Sequence, residues 1–533
     1  MQCKETCVKA GEECVFPGDK RAPRQLNRLP VGELLTRLKD LESEVQELRS
    51  KKSHSDSEKA AQRTIQNSGS NVFGLPGTEL SDSQLKPDDD FRHQYLQPGQ
   101  SKALWTLYQD NVAPLVAILH IPTTRQLISN AVDGVELNAA QKALLFSICF
   151  SAVISMTPKE CKSKVGQERY VARQDYGNAV ERALDDADFL KSKDISTLQA
   201  AVLFLLCSRA GGNTRLIWVK AAVVIRLAQS LQVHRDGEKL GLTPFETEIR
   251  RRLWCYICIL DTLSSEDQAV DTQIRPGMFD AQFPSNIDGD ELSPDMAGIP
   301  PVTKIFTDIT PCIMTCMVLN DVYWSSTSLD QSLPMSLRVQ EERVTKVGKT
   351  LQEKYLRHMD LNIPLQWISA TIIRLQLSRA WLLVQIPSDT LPMTDPYNDT
   401  AFETAVEGVN FSYLLQTNSV TAQWSWLCKS YRQWHVMAYI LSELCTHPLC
   451  PETDHAWDLV TKMLVQWQQN FPKDTALEKP LNELVERTAA VRATKLAGQP
   501  GPEEVNIQDE QGSGSSGFLE LGFSIDWLRV IGL

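Results

Sequence analysis

The sequence is poor in histidine and lacks several short motifs that are typical of common enzyme sites. Only eight of its 533 residues are histidine. A Walker phosphate-binding loop, an H-E-x-x-H helix and a G-x-S-x-G nucleophile turn are all missing. We therefore expect that the chain is not an enzyme, and a helical enzyme remains only a distant alternative.

The chain also lacks an excess of positive charge, a disulfide-type cysteine pattern and long apolar runs. The formal net charge is −12, so contact with nucleic acid has to be local, in a small basic segment. The 13 cysteines are odd in number and scattered, which is typical of the reducing cytosol or nucleus. The longest apolar runs, 144–154 and 198–207, are too short to cross a bilayer. With no segment resembling a signal peptide, they predict buried helices and no membrane partner.

Three closely spaced cysteines open the chain. Cys3-x3-Cys7-x6-Cys14 is followed by Phe16 and Pro17. Residues 1–16 resemble the second half of the fungal Zn2Cys6 (zinc binuclear cluster) DNA-binding head, which runs Cys-x2-Cys-x6-Cys, an aromatic or apolar residue and Pro. The resemblance implies zinc ligands at Cys3, Cys7 and Cys14, in a partial remnant of the cluster.

The front half of that cluster is missing from the sequence. The family binds two bridged zinc ions with six cysteines, and structural zinc needs a closed shell of four ligands. Half a module should stay unfolded, because small zinc modules fold only with the metal. Zinc is therefore expected only if the missing cysteines precede Met1 in the true chain, the interpretation we favour. A head-truncated relative and three unrelated cysteines are the alternatives.

Residues 17–30 form a basic, proline-containing linker. Its cations are Lys20, Arg21, Arg24 and Arg28, against one acidic residue. Three prolines keep the segment extended. In the family such a linker lies along the phosphate backbone, so these four residues are the predicted DNA contacts. An ordinary solvated linker is the alternative.

Residues 31–50 carry a heptad seam that predicts a short parallel coiled coil. The a and d positions are Val31, Leu34, Leu38, Leu41, Val45 and Leu48. Charges at the e and g positions would pair with opposite sign across a homodimer, which favours dimerisation over a helix packed on its own domain. So short a seam needs support from DNA or from the larger domain. Residues 51–100 are polar and aperiodic, and predict a disordered tether.

Residues 101–496 predict an all-α fold, a large helical bundle with a regulatory role. Apolar residues recur there at helical spacing and strict alternation is rare. Helices are predicted at 101–119, 138–156, 174–190, 216–233, 245–263, 365–383, 424–445 and 456–471. The run Thr243-Pro-Phe-Glu246 is a capping box with proline at the first helical position, which fixes one helix start.

A set of landmarks within 221–292 resembles the fungal-specific transcription factor domain, or middle homology region, and the likeness extends over about 105–467. In order, the landmarks are Arg226-x-Ala-x-x-Leu-x-x-His234-Arg235, Glu248-x-Arg250-Arg251-Arg252-x-Trp254, then Asp261, and Pro284-x-Asn286-x-Asp288. The chain departs from the family pattern at Gln232, Val233, Cys255 and Gly289. The resemblance implies a nuclear transcription factor with DNA, coregulators and a small-molecule effector as partners. Related chains often control a pathway or a secondary-metabolite gene cluster.

Arg250, Arg251 and Arg252 occupy one helical turn, so they cannot all face a core. At least one is predicted to pair inside the bundle with Asp261 or with the loop at 288–290. A structural ion network is the favoured interpretation, and ligand gating is the minor alternative, since structural networks often imitate functional sites.

Two cysteine-containing groups in the bundle are interpreted as structural. Cys445, His447, Cys450 and His455 offer zinc-ligand atoms, but their spacing matches no common zinc module. We favour a turn over a metal site there. The C-x-x-C pair that begins at Cys255 lies inside a predicted helix, and is interpreted as core packing and not as a redox pair.

Residues 497–533 form an acidic, Gly/Ser-rich tail that ends with aromatics such as Phe523 and Trp527. This mixture suits a short activation segment, and docking of the tail on the bundle is an equal alternative. The sequence as a whole predicts a sequence-specific transcription factor of the fungal zinc-cluster type. The alternative is a head-truncated regulator that acts through dimerisation or coregulator binding without a specific DNA contact of its own.

Overall fold

The computed structural model describes residues 98–324, 337–385, 399–470 and 478–497, apart from positions 212, 269, 276, 429, 430 and 432. All of these residues belong to the compact unit Val72–Leu533. The predicted zinc ligands, DNA contacts, heptad seam and tail lie outside the described residues: Cys3, Cys7, Cys14, Lys20, Arg21, Arg24, Arg28, Val31, Leu34, Leu38, Leu41, Val45, Leu48 and 498–533. These assignments stay predictions.

Every regular element in the described ranges is a helix, which confirms the predicted all-α class. The α-helices are α1 (Pro98–Asn111), α2 (Ile121–Val132), α3 (Ala139–Ser155), α4 (Pro158–Lys164), α5 (Arg169–Asp186), α6 (Ile195–Ser208), α7 (Thr214–Ser230), α8 (Pro244–Glu266), α9 (Thr310–Val318), α10 (Leu337–Lys354), α11 (Pro364–Gln385), α12 (Asp399–Thr417), α13 (Ser425–Cys428), α14 (Trp434–Thr446), α15 (Pro451–Asn470) and α16 (Glu478–Ala497). Among them, none has the length and apolarity that a bilayer span requires.

Helices α3 and α6 form the centre of the larger core. α3 is buried continuously over 143–155 and α6 over 197–207, as expected of helices that are apolar all round. Within α3 the hydroxyls of Ser147 and Ser151 donate to the carbonyls one turn earlier, at 2.9 Å and 2.6 Å, so their burial costs little. The apolar runs noted in the sequence are therefore core helices, as predicted.

Helix α8 begins where the capping box predicts. The Thr243 hydroxyl accepts from the backbone N–H of Glu246 at 3.2 Å, and the Glu246 carboxylate accepts from the Thr243 N–H at 3.1 Å. Pro244 occupies the first helical position. The start of this 23-residue helix is thus fixed by local chemistry.

Two hydrophobic cores share helix α12. The larger core gathers α1 to α11 with α13 and one end of α12, and the smaller one gathers α12 with α14, α15, α16 and Leu382 of α11. Phe411 and Leu415 of α12 belong to the larger core, whereas Phe402, Ala405 and Val409 belong to the smaller one. Helix α12 therefore connects the two.

Two predicted helices are wrong in extent. α1 ends at Asn111 and does not reach 119, because Pro114 disfavours helical geometry in the residue before it. The predicted helix 424–445 is divided between a 3-10 turn, α13 and α14. There the indole N–H groups of Trp424 and Trp426 donate to the carbonyls of Asp110 (3.2 Å) and Asn111 (3.0 Å). These bonds satisfy carbonyl groups at the C-terminal end of α1 that have no partner within the helix. Apolar periodicity in the sequence does not reveal such contacts.

Candidate regulatory site

Arg251 holds the segment between α7 and α8 by a bidentate ion pair. Its Nε and Nη2 donate to Asp236 Oδ2 at 2.9 Å and Oδ1 at 2.8 Å, and Nη2 also reaches Glu238 Oε1 at 2.8 Å. Asp236 is only 2% exposed and accepts the Gln282 N–H at 2.9 Å. Burial would raise the pKa of Asp236, but the hydrogen bonds from Arg251 and from backbone N–H groups lower it on balance.

Arg252 ties α8 to the loop at 284–292. Its Nε donates to Glu248 Oε1 at 3.2 Å, its Nη2 to the Ile287 carbonyl at 2.7 Å, and its Nη1 to Asp308 Oδ1 at 3.4 Å. The second oxygen of Glu248 accepts the Ser285 N–H at 3.1 Å. Arg252 and Glu248 are almost entirely buried, and Asp308 is a second carboxylate within salt-bridge distance of Arg252.

The glycine at position 289 is required by this loop. Its N–H donates to Asp308 Oδ2 at 2.8 Å, and a Cβ built there would lie 2.8 Å from that same oxygen. A side chain would push the carboxylate away from Arg252. The departure from the family pattern at Gly289 therefore matches the local packing.

The predicted ion network is confirmed, but its partners differ from the prediction. Among the described residues no carboxylate of the loop at 288–290 forms a salt bridge with these arginines, and Asp288 pairs with Lys304 instead. Asp261 pairs with none of the three arginines; its carboxylate accepts the N–H groups of Gln273 at 3.2 Å and Ile274 at 2.7 Å. It lies nine residues beyond Arg252, about 13 Å along the helix axis, which puts it out of reach. Burial raises the pKa of Asp261 to about 6 against the opposing effect of those N–H groups.

A small cavity lies between α6, α8, α9 and α11. Its volume is about 50 Å³, and its lining includes Leu206, Tyr256, Ile259, Cys312 and Ile373. Such a volume accepts a few water molecules and is too small for a drug-sized ligand.

A larger groove, of about 240 Å³, lies between α3, α5, α6 and α7. Phe150 and Phe204 line it in an edge-to-face pair with centroids 4.9 Å apart. Lys220 Nζ lies 3.0 Å from Glu181 Oε1, and this ion pair is at least nine-tenths buried on both sides. Lys220 Nζ is also 5.9 Å from the Phe204 centroid. The groove thus has an aromatic wall and a buried pair of charges.

Arg173 adds a second cation to the groove. Among the described residues, no carboxylate forms a salt bridge with it. Burial lowers the pKa of Arg173, and the nearby charge of Arg169 lowers it further. Gly211 has φ +152°, and a Cβ built there would lie 2.7 Å from Arg173 Nη1, so this glycine makes room for the guanidinium. The groove was not predicted from the sequence, because its lining comes from four helices.

The four residues weighed as an alternative zinc site do not form a cluster of ligand atoms: Cys445, His447, Cys450 and His455. The Cys445 thiol contacts Thr488 and the Leu441 carbonyl, while the Cys450 thiol contacts Thr453. The His447 ring stacks on Phe402 with centroids 5.0 Å apart. The favoured interpretation, a turn after α14, agrees with these contacts. Cys255 and Cys258 are both free and buried in the core, as predicted.

Residues 105–364 match the family model described as the fungal specific transcription factor domain. The chain is 28% identical to the aurofusarin cluster transcription factor of Gibberella zeae, over 72% of this chain and 58% of that protein. It is 29% identical to the pyriculol/pyriculariol biosynthesis cluster transcription factor 1 of Pyricularia oryzae, over 69% and 51%. For the transcriptional regulator AacuB of Aspergillus aculeatus the identity is 25%, over 67% and 50%.

The chain spans about half the length of these curated relatives. The matched range contains the whole series of landmarks from Arg226 to Asp288, together with the ion network around Arg251 and Arg252. The resemblance predicted from those landmarks is therefore confirmed over residues 105–364: this part of the chain is similar to the fungal specific transcription factor domain.

Proposed function

We propose that the chain is a sequence-specific transcription factor of the fungal zinc-cluster type, acting in the nucleus on the genes of one biosynthetic cluster. The observation that carries the proposal is the match of residues 105–364 to the fungal specific transcription factor domain. The proposal is also supported by two relatives that are named as transcription factors of the aurofusarin and pyriculol/pyriculariol clusters. On this proposal the chain is a regulator of secondary metabolism and not an enzyme.

The proposed DNA contacts are Lys20, Arg21, Arg24 and Arg28. Three thiolates at Cys3, Cys7 and Cys14 do not complete a two-zinc cluster, since that cluster needs six. On this proposal sequence-specific binding needs the further cysteines of a complete cluster, and the 533 residues alone should bind DNA weakly and with little sequence preference, through phosphate contacts that salt removes. Tight binding of this chain to one defined site in moderate salt would contradict the argument from the cysteines.

The proposed effector site is the groove of α3, α5, α6 and α7. It is the largest of the cavities described above, it combines aromatic walls with a few polar groups, and that combination is typical of small-molecule sites. Arg173 would face an anionic group of the effector, while Phe150 and Phe204 would contact its apolar part. Dimerisation through residues 31–50 and recruitment of coregulators by the tail complete the proposal.

Transcript measurement after deletion of the gene tests the regulatory function. We expect the transcripts of one contiguous group of biosynthetic genes to change, and expression of the intact chain to restore them. Scattered changes with no contiguous group would refute the assignment. If the group responds but chromatin immunoprecipitation finds this chain at none of its promoters, the effect is indirect and the proposed action on those genes is refuted.

Filling the groove tests the effector site separately. Gly177 lies in the groove on α5, where a Cβ would meet Phe150 at an ordinary 3.5 Å. Gly177→Ala should preserve regulation, whereas Gly177→Leu should occupy the groove and abolish the effector response. Gly408→Ala, on α12 away from the groove and with its Cβ 3.8 Å from Ser378, controls for a helical glycine as such. An unchanged response in a folded Gly177→Leu variant would rule out the groove.

A further inference from the structure

Three cysteines from two helices meet in the core next to the small cavity. The Sγ atoms of Cys255, Cys312 and Cys316 all lie within 4.8 Å of one another, and all three residues are buried. Cys255 belongs to α8 and the other two to α9, where a spacing of four residues places them on one face. Cys316 Sγ is 3.7 Å from the Cys255 carbonyl. We call Cys255, Cys312 and Cys316 the thiol triad.

The spacing of the thiol triad suits a single three-coordinate ion. An ion with three bonds of about 2.3 Å to sulfur holds those sulfurs about 4 Å apart when it lies in their plane, and about 3.4 Å apart when it stands above the plane as the apex of a pyramid. The thiol triad, with its sulfurs within 4.8 Å of one another, is close to that range. Thiolate ligands select soft ions, and within the described ranges no histidine, aspartate or glutamate joins the triad as a fourth ligand. Tetrahedral structural zinc, which needs four ligands, fits poorly.

Two features of the fold favour a bound atom beside Cys312. Cys312 is the third residue of α9, so it lies at the positive end of that helix dipole. Cys312 also lines the 50 Å³ cavity, which gives free volume on one side of the triad.

Charge decides which soft ion fits. Three thiolates with a monovalent or divalent ion leave a net negative charge in a site with almost no solvent, and burying such a charge is costly. Three thiolates with a trivalent ion are neutral. We propose that the thiol triad of Cys255, Cys312 and Cys316 is a binding site for trivalent arsenic, supplied as arsenite.

The binding reaction balances without any further reactant. Arsenous acid exchanges its three hydroxyl groups for three sulfurs: three S–H bonds and three As–O bonds break, three As–S bonds and three O–H bonds form, and three water molecules leave. No electrons are transferred. The product joins α8 to α9 through one atom, close to the ion network around Arg252.

Arsenite titration of the whole chain tests the proposal. The background is the full chain with Cys3, Cys7 and Cys14 changed to Ser, kept reduced by a phosphine that does not itself bind arsenic. We expect about one tightly bound arsenic atom per chain after gel filtration and a higher melting temperature. Cys316→Ala should lose both effects. Cys258→Ala, one turn from Cys255 in α8 and also buried, should keep them.

Arsenic X-ray absorption of the background chain provides a measurement that needs no cysteine variant in the core. Three sulfur ligands on the bound arsenic are expected, whereas two would mean that another thiol pair is the site. Equal arsenic binding by the Cys316→Ala and background chains would overturn the proposal. Binding of zinc or copper(I) with no binding of arsenite would overturn the charge argument, and with it the choice of ion.

Discussion

The burial of Arg252 makes a strong and specific stability prediction. Replacing it with Met keeps much of the apolar stem but leaves the Glu248 carboxylate, which is 0% exposed, without its cation. It also removes the donors to the Ile287 carbonyl and to Asp308. Removing one partner of a buried ion pair costs about 3–5 kcal/mol. We therefore expect Arg252→Met to lower the free energy of unfolding by that amount, measured by urea titration with circular dichroism of the helices.

The neighbouring Arg250 supplies a matched control. Among the described residues its one side-chain hydrogen bond runs from Nη1 to the Leu231 carbonyl, at 2.8 Å, from a half-buried position. Arg250→Met should therefore cost about 1 kcal/mol. Adding Glu248→Gln to Arg252→Met removes the stranded charge and should recover at least about 1 kcal/mol. If the Arg250 and Arg252 variants cost the same, or if Glu248→Gln gives no recovery, the account of this network is wrong.

Three further predictions each concern one or two positions. The folded pKa of Asp236 lies below its usual value, so its stabilisation is present above about pH 4 and is lost as the pH falls; the gap in unfolding free energy between wild type and Asp236→Asn should close in acid. Gly289→Asp should destabilise by about 1–3 kcal/mol, because its Cβ would lie 2.8 Å from Asp308; a neutral effect in thermal melting would contradict the packing argument. Changing Leu38 and Leu41 to Asp should halve the sedimenting mass of a fragment from residue 31 onward, since it buries like charges in adjacent layers; an unchanged mass would mean that the helix packs elsewhere.

Local signals in the sequence predicted the helices well where chemistry and periodicity agree. The capping box at Thr243 fixed the start of α8 because both of its hydrogen bonds are made within one turn. The end of α1 was missed, although Pro114 marks it, because the apolar spacing continues past the proline. The break within 424–445 depends on bonds from two indoles to α1, more than 300 residues away in sequence. No local pattern contains that information.

For the ion network, the sequence predicts that buried ion pairs are present but not which residues form them. Three arginines in one turn beside several acidic residues indicate buried ion pairs, and that much was predictable. Which carboxylate each arginine meets depends on how the chain returns to α8 after leaving it. Asp236 precedes the helix and Asp308 follows the loop, whereas Asp261, on the same helix, points to a different segment. The thiol triad escaped prediction for the same reason, because Cys255 is separated from Cys312 by a loop.

Helix α8 is the element through which an occupied groove would reach the rest of the described unit. The groove helices α6 and α7 both pack on α8. At the C-terminal end of α8, Asp267 forms a salt bridge of 2.9 Å with Arg209, which follows α6. Arg209 also donates a hydrogen bond to the Leu263 carbonyl, where the dipole of α8 favours a cation. A ligand that moves α6 must therefore either move α8 with it or break this buried pair. Since breaking the pair is expensive, joint movement of the two helices is the cheaper response, and Arg209→Met should uncouple the groove from the Arg252 network while leaving ligand binding in place.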